Sequence, residues 1–323
     1  MPASDSPTFA RSCSRSARTS KPEGSARPDT SGVLGTGWCN EAVPVHLTRS
    51  YHALALDFSL AVESEELGRY LEWLLDGFVE PDGPVTRYSV VRGADDSAGV
   101  RLLLDGELVL QATDARAFVA SLVQWLNQQA TNPEYAVMSH AGGVERGGVA
   151  CVLPAHMESG KTTLTTGLVR KGFAYLTDEA VAFDWETGEI DPYPKPLSID
   201  PGSQFLFREL TPPLPPGVEA TDSAQWQIPP SAIRPDAVGT RCWARYVVFP
   251  NYEEGATTLL QPIGRAEGLV ELAKNTFQFR EHPRRGLDSL ARVIRDVDCY
   301  RLTVGDLDRA CELIDDLMGA DRA

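Results

Sequence analysis

The sequence predicts an α/β protein in which a small α+β unit precedes a larger α/β domain built around a strand, a loop and a helix. Three observations predict it. Short β-rich runs and stretches of helical periodicity alternate between residues 52 and 132. The apolar run Val149 to Leu153 leads straight into a loop and then a helix-like segment. A composition of 42% hydrophobic and 23% charged residues over 323 positions suits one or two ordinary cores.

Residues 1–40 are rich in Ser, Arg, Pro, Gly and Thr and lack apolar periodicity, so they are expected to be a disordered tail that cannot offset its own ordering entropy. The front unit is expected over 41–133. Within it HALALDFSL alternates like one strand, and EELGRYLEWLLDGFV places Leu67, Leu71, Leu74 and Phe78 on one helical face. TRYSVVR, VRLLLD and ELVLQAT read as strands between Gly/Asp turns. ARAFVASLVQWLNQQA reads as a helix with Phe118, Leu122 and Leu126 inward. Trp73 and Trp125 fall in these leucine-rich helices and are expected to pack.

The second domain is expected over 134–323. It opens with two apolar runs broken at Gly147 and Gly148, a hairpin signal, and continues through the loop PAHMESGKTT into a helix that Gly172 closes. Strand-like AVAFDWETGEI, the loop DPYPKP, the proline-dense TPPLPPG, the strand RYVVFP and a terminal helix around LDRACELIDDLM follow.

A formal charge of −15 argues against a surface that tracks nucleic-acid phosphates or anionic lipid. Cys13, Cys39, Cys151, Cys242, Cys299 and Cys311 form no CxxC pair, which points to buried free thiols. No apolar run is long enough for a membrane helix or a signal peptide, so a soluble cytoplasmic protein is expected.

The loop carries the chemistry. Consecutive backbone N–H groups at the head of a helix, free of bulky side chains, can meet the oxygens of a phosphate. Ala155, His156, Met157, Glu158, Ser159, Gly160, Lys161, Thr162 and Thr163 form such a candidate nucleotide-binding segment, close to GxxxxGK[ST], between an expected strand and an expected helix. Lys161 would reach the β- and γ-phosphates, Thr162 would offer its hydroxyl to Mg²⁺, and Gly160 would let the main chain come close. Ala155 replaces the first glycine of the pattern. The alternative is a chance GKT at a helix start. Asp178 and Glu179 lie just past the helix, where the chain returns as a strand. Asp178 is expected to hold Mg²⁺ and Glu179 to polarise the acceptor, against the alternative of a solvated acidic turn.

With these residues in view, the segment from His140 to Asp184 resembles the catalytic domain of HPr kinase/phosphorylase and of related bacterial serine kinases. SHAGGV matches a His-Gly-Val-like strand upstream of that family's phosphate loop, ESGKTT matches the loop, and an acidic pair follows LVRKGFAYLT. Pro194-Lys195-Pro196-Leu197 is similar to a segment of the related proteins. The resemblance implies an HPr kinase/PEP carboxykinase-like P-loop fold and an ATP- and Mg²⁺-dependent kinase that acts on a serine or threonine hydroxyl of a protein or peptide. It implies catalytic roles for Lys161, Asp178, Glu179 and His140, with Thr162 and Asp178 at the metal. A homo-oligomer is common in that family. For His140 the alternative is a core histidine bonded to backbone.

The chain departs from the family in two places: its acidic pair is Asp-Glu rather than Asp-Asp, and the downstream Arg-Gly-rich signature is not found, so HPr itself is not implied as the substrate. Two other functions stay open, a nucleotide-binding regulatory or scaffold protein without transfer, and a carboxykinase-like enzyme acting on a small molecule. Outside the segment, Arg280, His282, Arg284 and Arg285 make a basic island in a loop. Arg241 and Arg245 either deliver a cation to phosphoryl charge or guard a sheet edge.

Overall fold

The computed structural model describes residues 46–92, 99–156, 159–221, 223–277 and 282–319. The expected tail, Cys13, Cys39, Met157, Glu158 and Arg280 lie outside the described residues. Val43–Ala323 makes one compact unit of mixed α/β structure with open mixed sheets.

The first sheet collects β1 (His46–Leu47), β2 (Tyr51–Ala53), β3 (Leu56–Val62), β4 (Thr86–Arg92), β5 (Val100–Leu104) and β6 (Glu107–Ala112), in the order β1-β3-β4-β5-β6 with β2 on β3. Helix α1 (Glu65–Leu74) joins β3 to the parallel β4, and α2 (Ala115–Ala130) follows β6. Both helices start on a side-chain cap, Ser64 accepting from the Leu67 amide and Asp114 from the Ala117 amide. Leu67, Leu71, Leu74, Phe118, Leu122 and Leu126 are buried as their spacing predicts, and Phe78, beyond the end of α1, is buried with them.

HALALDFSL is not one strand. Leu54 and Ala55 make a two-residue turn between β2 and β3, with Leu54 at φ 55°. Leu54 is buried, so the apolar alternation runs through the turn and no glycine marks it.

The second sheet is built from β7 (Ala136–Arg146), β8 (Val149–Pro154), β9 (Ala174–Thr177), β10 (Ala180–Asp184) and β11 (Ile190–Asp191). After a small two-stranded sheet of β12 (Leu197–Ile199) and β13 (Trp226–Ile228), it is completed by β14 (Trp243–Tyr252), β15 (Leu259–Ile263) and β16 (Asp298–Val304). The order is β11-β10-β7-β8-β14-β16-β15, with β9 beside β7; β8, β14 and β16 run parallel. Gly147 and Gly148, both at positive φ, turn β7 into β8. One sheet face packs on α3 (Lys161–Arg170) and the terminal α7 (Leu307–Gly319). The other packs on α5 (Arg265–Lys274) and α6 (Pro283–Arg295), while the short α4 (Pro230–Ile233) follows β13. Helices on both faces bury this mixed sheet, whose parallel part is β8, β14 and β16.

Two expectations need correction. The basic stretch read as a loop enters a helix: Pro283 opens α6, and Arg284 and Arg285 lie in its first turn. The proline loop is found where expected, with residues 193–197 buried. β14 lies between β8 and β16, so Arg245 guards no sheet edge. Cys151, Cys242, Cys299 and Cys311 are free and buried as expected, and no described helix is long and apolar enough to cross a membrane.

The closest approach that positions the next elements is at Gly142, where β7 passes under α3. A Cβ there would lie 2.5 Å from the Thr165 hydroxyl oxygen. Overpacking of this kind costs about 1–3 kcal/mol. Gly142→Ala is therefore expected to lower unfolding free energy in a denaturant titration by that amount, and the Gly142→Ala/Thr165→Ala pair to recover most of it. Equal loss in the single and double variants would show that the backbone itself cannot take the substitution.

Candidate functional site

Three chain segments converge at the end of β8. The first is the loop that leaves β8 at Pro154 and enters α3 at Lys161. Gly160 is the helix N-cap at φ 82°, a backbone that disfavours any side chain. No side chain caps the first turn of α3, so its leading N–H groups are available to an anion. Ala155, the departure from the glycine pattern, is not among the described residues with positive φ. The loop entry therefore needs no glycine for backbone reasons. Ser159 donates to the His156 carbonyl at 2.7 Å.

The Lys161 side chain folds back over its own loop. Its ammonium donates to the carbonyls of Ala155 at 2.8 Å and His156 at 2.7 Å, and to His140 Nε2 at 3.0 Å. Burial, outweighing the attraction of Glu179 and Asp178, lowers its pKa to about 8. Backbone carbonyls are replaceable partners, and a multiply charged anion would compete well for this cation.

The second segment is the turn between β9 and β10, which carries Asp178 and Glu179. Asp178 is 3% exposed, so it is not a solvated acid. The hydroxyl of Thr162, the second residue of α3, donates to its Oδ2 at 3.0 Å, and the Tyr175 hydroxyl donates to its Oδ1 at 2.8 Å. The third segment supplies the counter-charge: Lys195 Nζ lies 2.6 Å from Asp178 Oδ1, with both side chains essentially sealed from solvent. Burial alone would raise the Asp178 carboxyl, but Lys195, Tyr175 and Thr162 together hold it below its ordinary value. The Lys195 ammonium also donates to the Pro196 carbonyl at 2.9 Å.

Glu179 turns to the other side. Its Oε1 is 3.5 Å from His140 Nδ1, an ion-pair distance at which that nitrogen still lacks a hydrogen-bond partner. Burial raises the Glu179 carboxyl, an effect that the nearby lysines only partly oppose. His140 lies on β7, which pairs with β10 at Ala180. Burial first, and the Lys161 ammonium second, lower its pKa to about 4, so the ring is neutral near neutral pH. Its backbone N–H donates to the Asn275 carbonyl at 2.6 Å and its ring lies edge-on to Phe277.

Lys161, Thr162, Asp178, Glu179 and His140 thus share one cluster, with Ala155 and His156 at its edge. Thr163 faces away, its hydroxyl donating to Ser203 at 2.9 Å. Arg241 and Arg245 do not join the cluster. Trp243 pairs with Val149, at the opposite end of β8, and the two arginines bind Asp191 and Asp298. Lys195 and Tyr175 are the members that residue-by-residue reading did not assign. Lysine between two prolines in a buried stretch is a signal, because a lysine is almost never fully buried without a partner.

The Asp178–Lys195 pair generates a stability prediction. Removing one partner of a buried ion pair costs about 3–5 kcal/mol. Lys195→Met is expected to lose that much in denaturant unfolding, while Lys195→Met/Asp178→Asn loses clearly less than the two single changes added together. Asp178 has a depressed folded-state pKa, so its contribution is present above its unfolded value of about 4. It is lost as pH falls through the lower folded value, and an acid titration of stability should weaken the wild type there but not Asp178→Asn.

No family model and no curated protein matches this chain.

Proposed function

We propose that this chain is an ATP- and Mg²⁺-dependent phosphotransferase of the P-loop type, moving the γ-phosphoryl group to a hydroxyl, with a serine or threonine of a protein or peptide as the acceptor class. One observation carries the reading. The Thr162 hydroxyl at the head of α3 donates to the buried Asp178 carboxylate at 3.0 Å, beside the loop lysine and below uncapped helix amides. That is the pairing of loop hydroxyl and strand-end carboxylate that nucleotide-bound magnesium requires. The acceptor class rests on the resemblance to HPr kinase-related proteins.

The residues fit such a metal. Among the described residues no group of three or more His, Cys, Asp or Glu side chains could hold a metal by itself. Asp178 and Thr162 offer two hard oxygens, and magnesium is usually completed by phosphate oxygens and water. When bound, the ion would neutralise charge on the phosphates. Lys161 would exchange its loop carbonyls for the β- and γ-phosphates, and the α3 amides would orient them. The attacking hydroxyl would form a bond to the γ-phosphorus as the bond to the bridging β–γ oxygen breaks, releasing ADP. Its proton would pass to Glu179, whose raised pKa suits a proton acceptor better than that of the clamped Asp178. Neutral His140, between Lys161 and Glu179, would orient both.

Two predictions test this. Lys161 must be protonated to hold a phosphate, and its pKa is about 8 in the free protein. Affinity for MgATP is expected to be flat below that pH and to fall by up to about tenfold per unit above it. Calorimetric titration should show the fall in the wild type, and Lys161→Ala should bind weakly at every pH. Glu179→Gln is expected to keep MgATP affinity within a few-fold and to lose about 10²–10⁴ of transfer rate, read as labelled γ-phosphate passed to protein or peptide in a cell extract. MgATP binding without transfer by the wild type would favour the regulatory reading, and ADP release only with a metabolite the small-molecule one.

A further inference from the structure

We propose that Tyr252 is the platform on which the base of the nucleotide stacks, an inference that rests on the nucleotide-binding reading above. Sheet order supplies the direction. β8 leads into the loop, and the groups around Lys161 that would handle a transferred phosphoryl all come from its β7 side. His140 lies on β7, and Asp178 and Glu179 lie in the turn between the two strands that pair with β7. A triphosphate laid along the loop with its γ end at those groups must leave its nucleoside on the opposite flank.

On that flank β14 runs parallel to β8, with Val247 beside Val152. Continuing the register puts Phe249 level with Pro154, the last residue of β8. Pro250, Asn251 and Tyr252 therefore overrun β8 by three residues, about 10 Å of extended chain, and stand beside the loop. By strand alternation Tyr252 shares the sheet face of Tyr246 and Val248, which pack with Leu164 and Leu168 of α3. The two residues come close: a Cβ built on Gly160 would lie 3.7 Å from the Tyr252 Cβ.

Tyr252 is 57% exposed, and among the described residues its ring has no aromatic or cationic partner and its hydroxyl no hydrogen bond. A large uncovered ring on a strand end needs a reason, and a nucleobase offers a flat face that stacks on aromatic rings without demanding hydrogen bonds. The neighbouring Glu253 and Glu254 repel phosphate, so this flank suits the uncharged end of the nucleotide. The rival is Phe205, 63% exposed, two residues from the Ser203 that Thr163 binds. It lies in the separate turn Pro201–Leu206 and lacks the close approach to the loop glycine.

The experiment is a calorimetric comparison of MgATP and magnesium tripolyphosphate on the wild type, Tyr252→Ala, Tyr252→Phe, Phe205→Ala and Lys161→Ala. Tyr252→Ala is expected to bind MgATP about tenfold more weakly while its tripolyphosphate affinity stays that of the wild type, and Tyr252→Phe to bind both normally. Lys161→Ala should weaken both ligands. Unchanged MgATP affinity in Tyr252→Ala, equal loss of both ligands there, or a selective MgATP loss in Phe205→Ala instead would overturn the platform while leaving the nucleotide reading intact. A wild type that binds neither ligand would sink both.

Discussion

The arrangement at the end of β8 depends on one ion pair, Asp178 with Lys195, sealed inside the protein. A carboxylate taken out of water would by itself take up a proton, and a lone ammonium would lose one. The Lys195 ammonium helps to hold the Asp178 carboxyl below its ordinary value, and Tyr175 and Thr162 add hydrogen bonds to the carboxylate that hold it in one orientation. Replacing such a pair by apolar residues is often neutral or stabilising, so burial of this kind is poor evidence for stability alone. Its effect here is positional. Thr162, Asp178 and Lys195 come from the head of α3, from the turn after β9 and from the buried stretch before β12, and the three meet at a single carboxylate.

Local charge at this point differs from that of the whole chain. The protein carries −15, yet the cluster sets the ammonium groups of Lys161 and Lys195 against the carboxyls of Asp178 and Glu179, so its formal charges cancel. A bare metal cation gains little from such a balanced set. A metal that arrives on a polyanion gains more, because Lys161 is held only by loop carbonyls and a neutral imidazole and can turn to the incoming charge.

Much of the fold was legible because its signals are local. The spacing of Leu67, Leu71 and Leu74 and of Phe118, Leu122 and Leu126 announces α1 and α2, Gly147-Gly148 announces the β7–β8 hairpin, and Gly172 closes α3. The loop and its helix were legible for the same reason. What escaped reading was set by tertiary contact. The Leu54–Ala55 turn is hidden by burial of Leu54 itself. REHPRRG reads as a loop because the first turn of α6 is proline and two arginines, and the buried apolar side chains of that helix begin only at Leu290. Lys195 stands out in the sequence only through the similarity of Pro194–Leu197 to the related proteins, because nothing near it tells that Asp178, seventeen positions earlier (195 − 178), closes on it. Tyr252 looks like any surface tyrosine until the strand register puts it beyond the end of β8.

Ala155 in the phosphate-loop pattern and glutamate in the acidic pair bear differently on the proposed chemistry. Ala155 stands at a place where no positive φ is used, so the backbone there does not call for glycine. Glutamate in place of the second aspartate lengthens the arm of the very group that stands apart from the clamp. Adjacent acids would ordinarily titrate alike, but here their environments separate them: Lys195, Tyr175 and Thr162 draw Asp178 down, and burial beside neutral His140 lifts Glu179. Divergent values on neighbouring carboxyls are how one site assigns a permanently charged role to one acid and a proton-accepting role to the other. The division depends on Lys195 more than on the loop, since without its ammonium the Asp178 carboxyl would rise as well and the difference between the two acids would shrink.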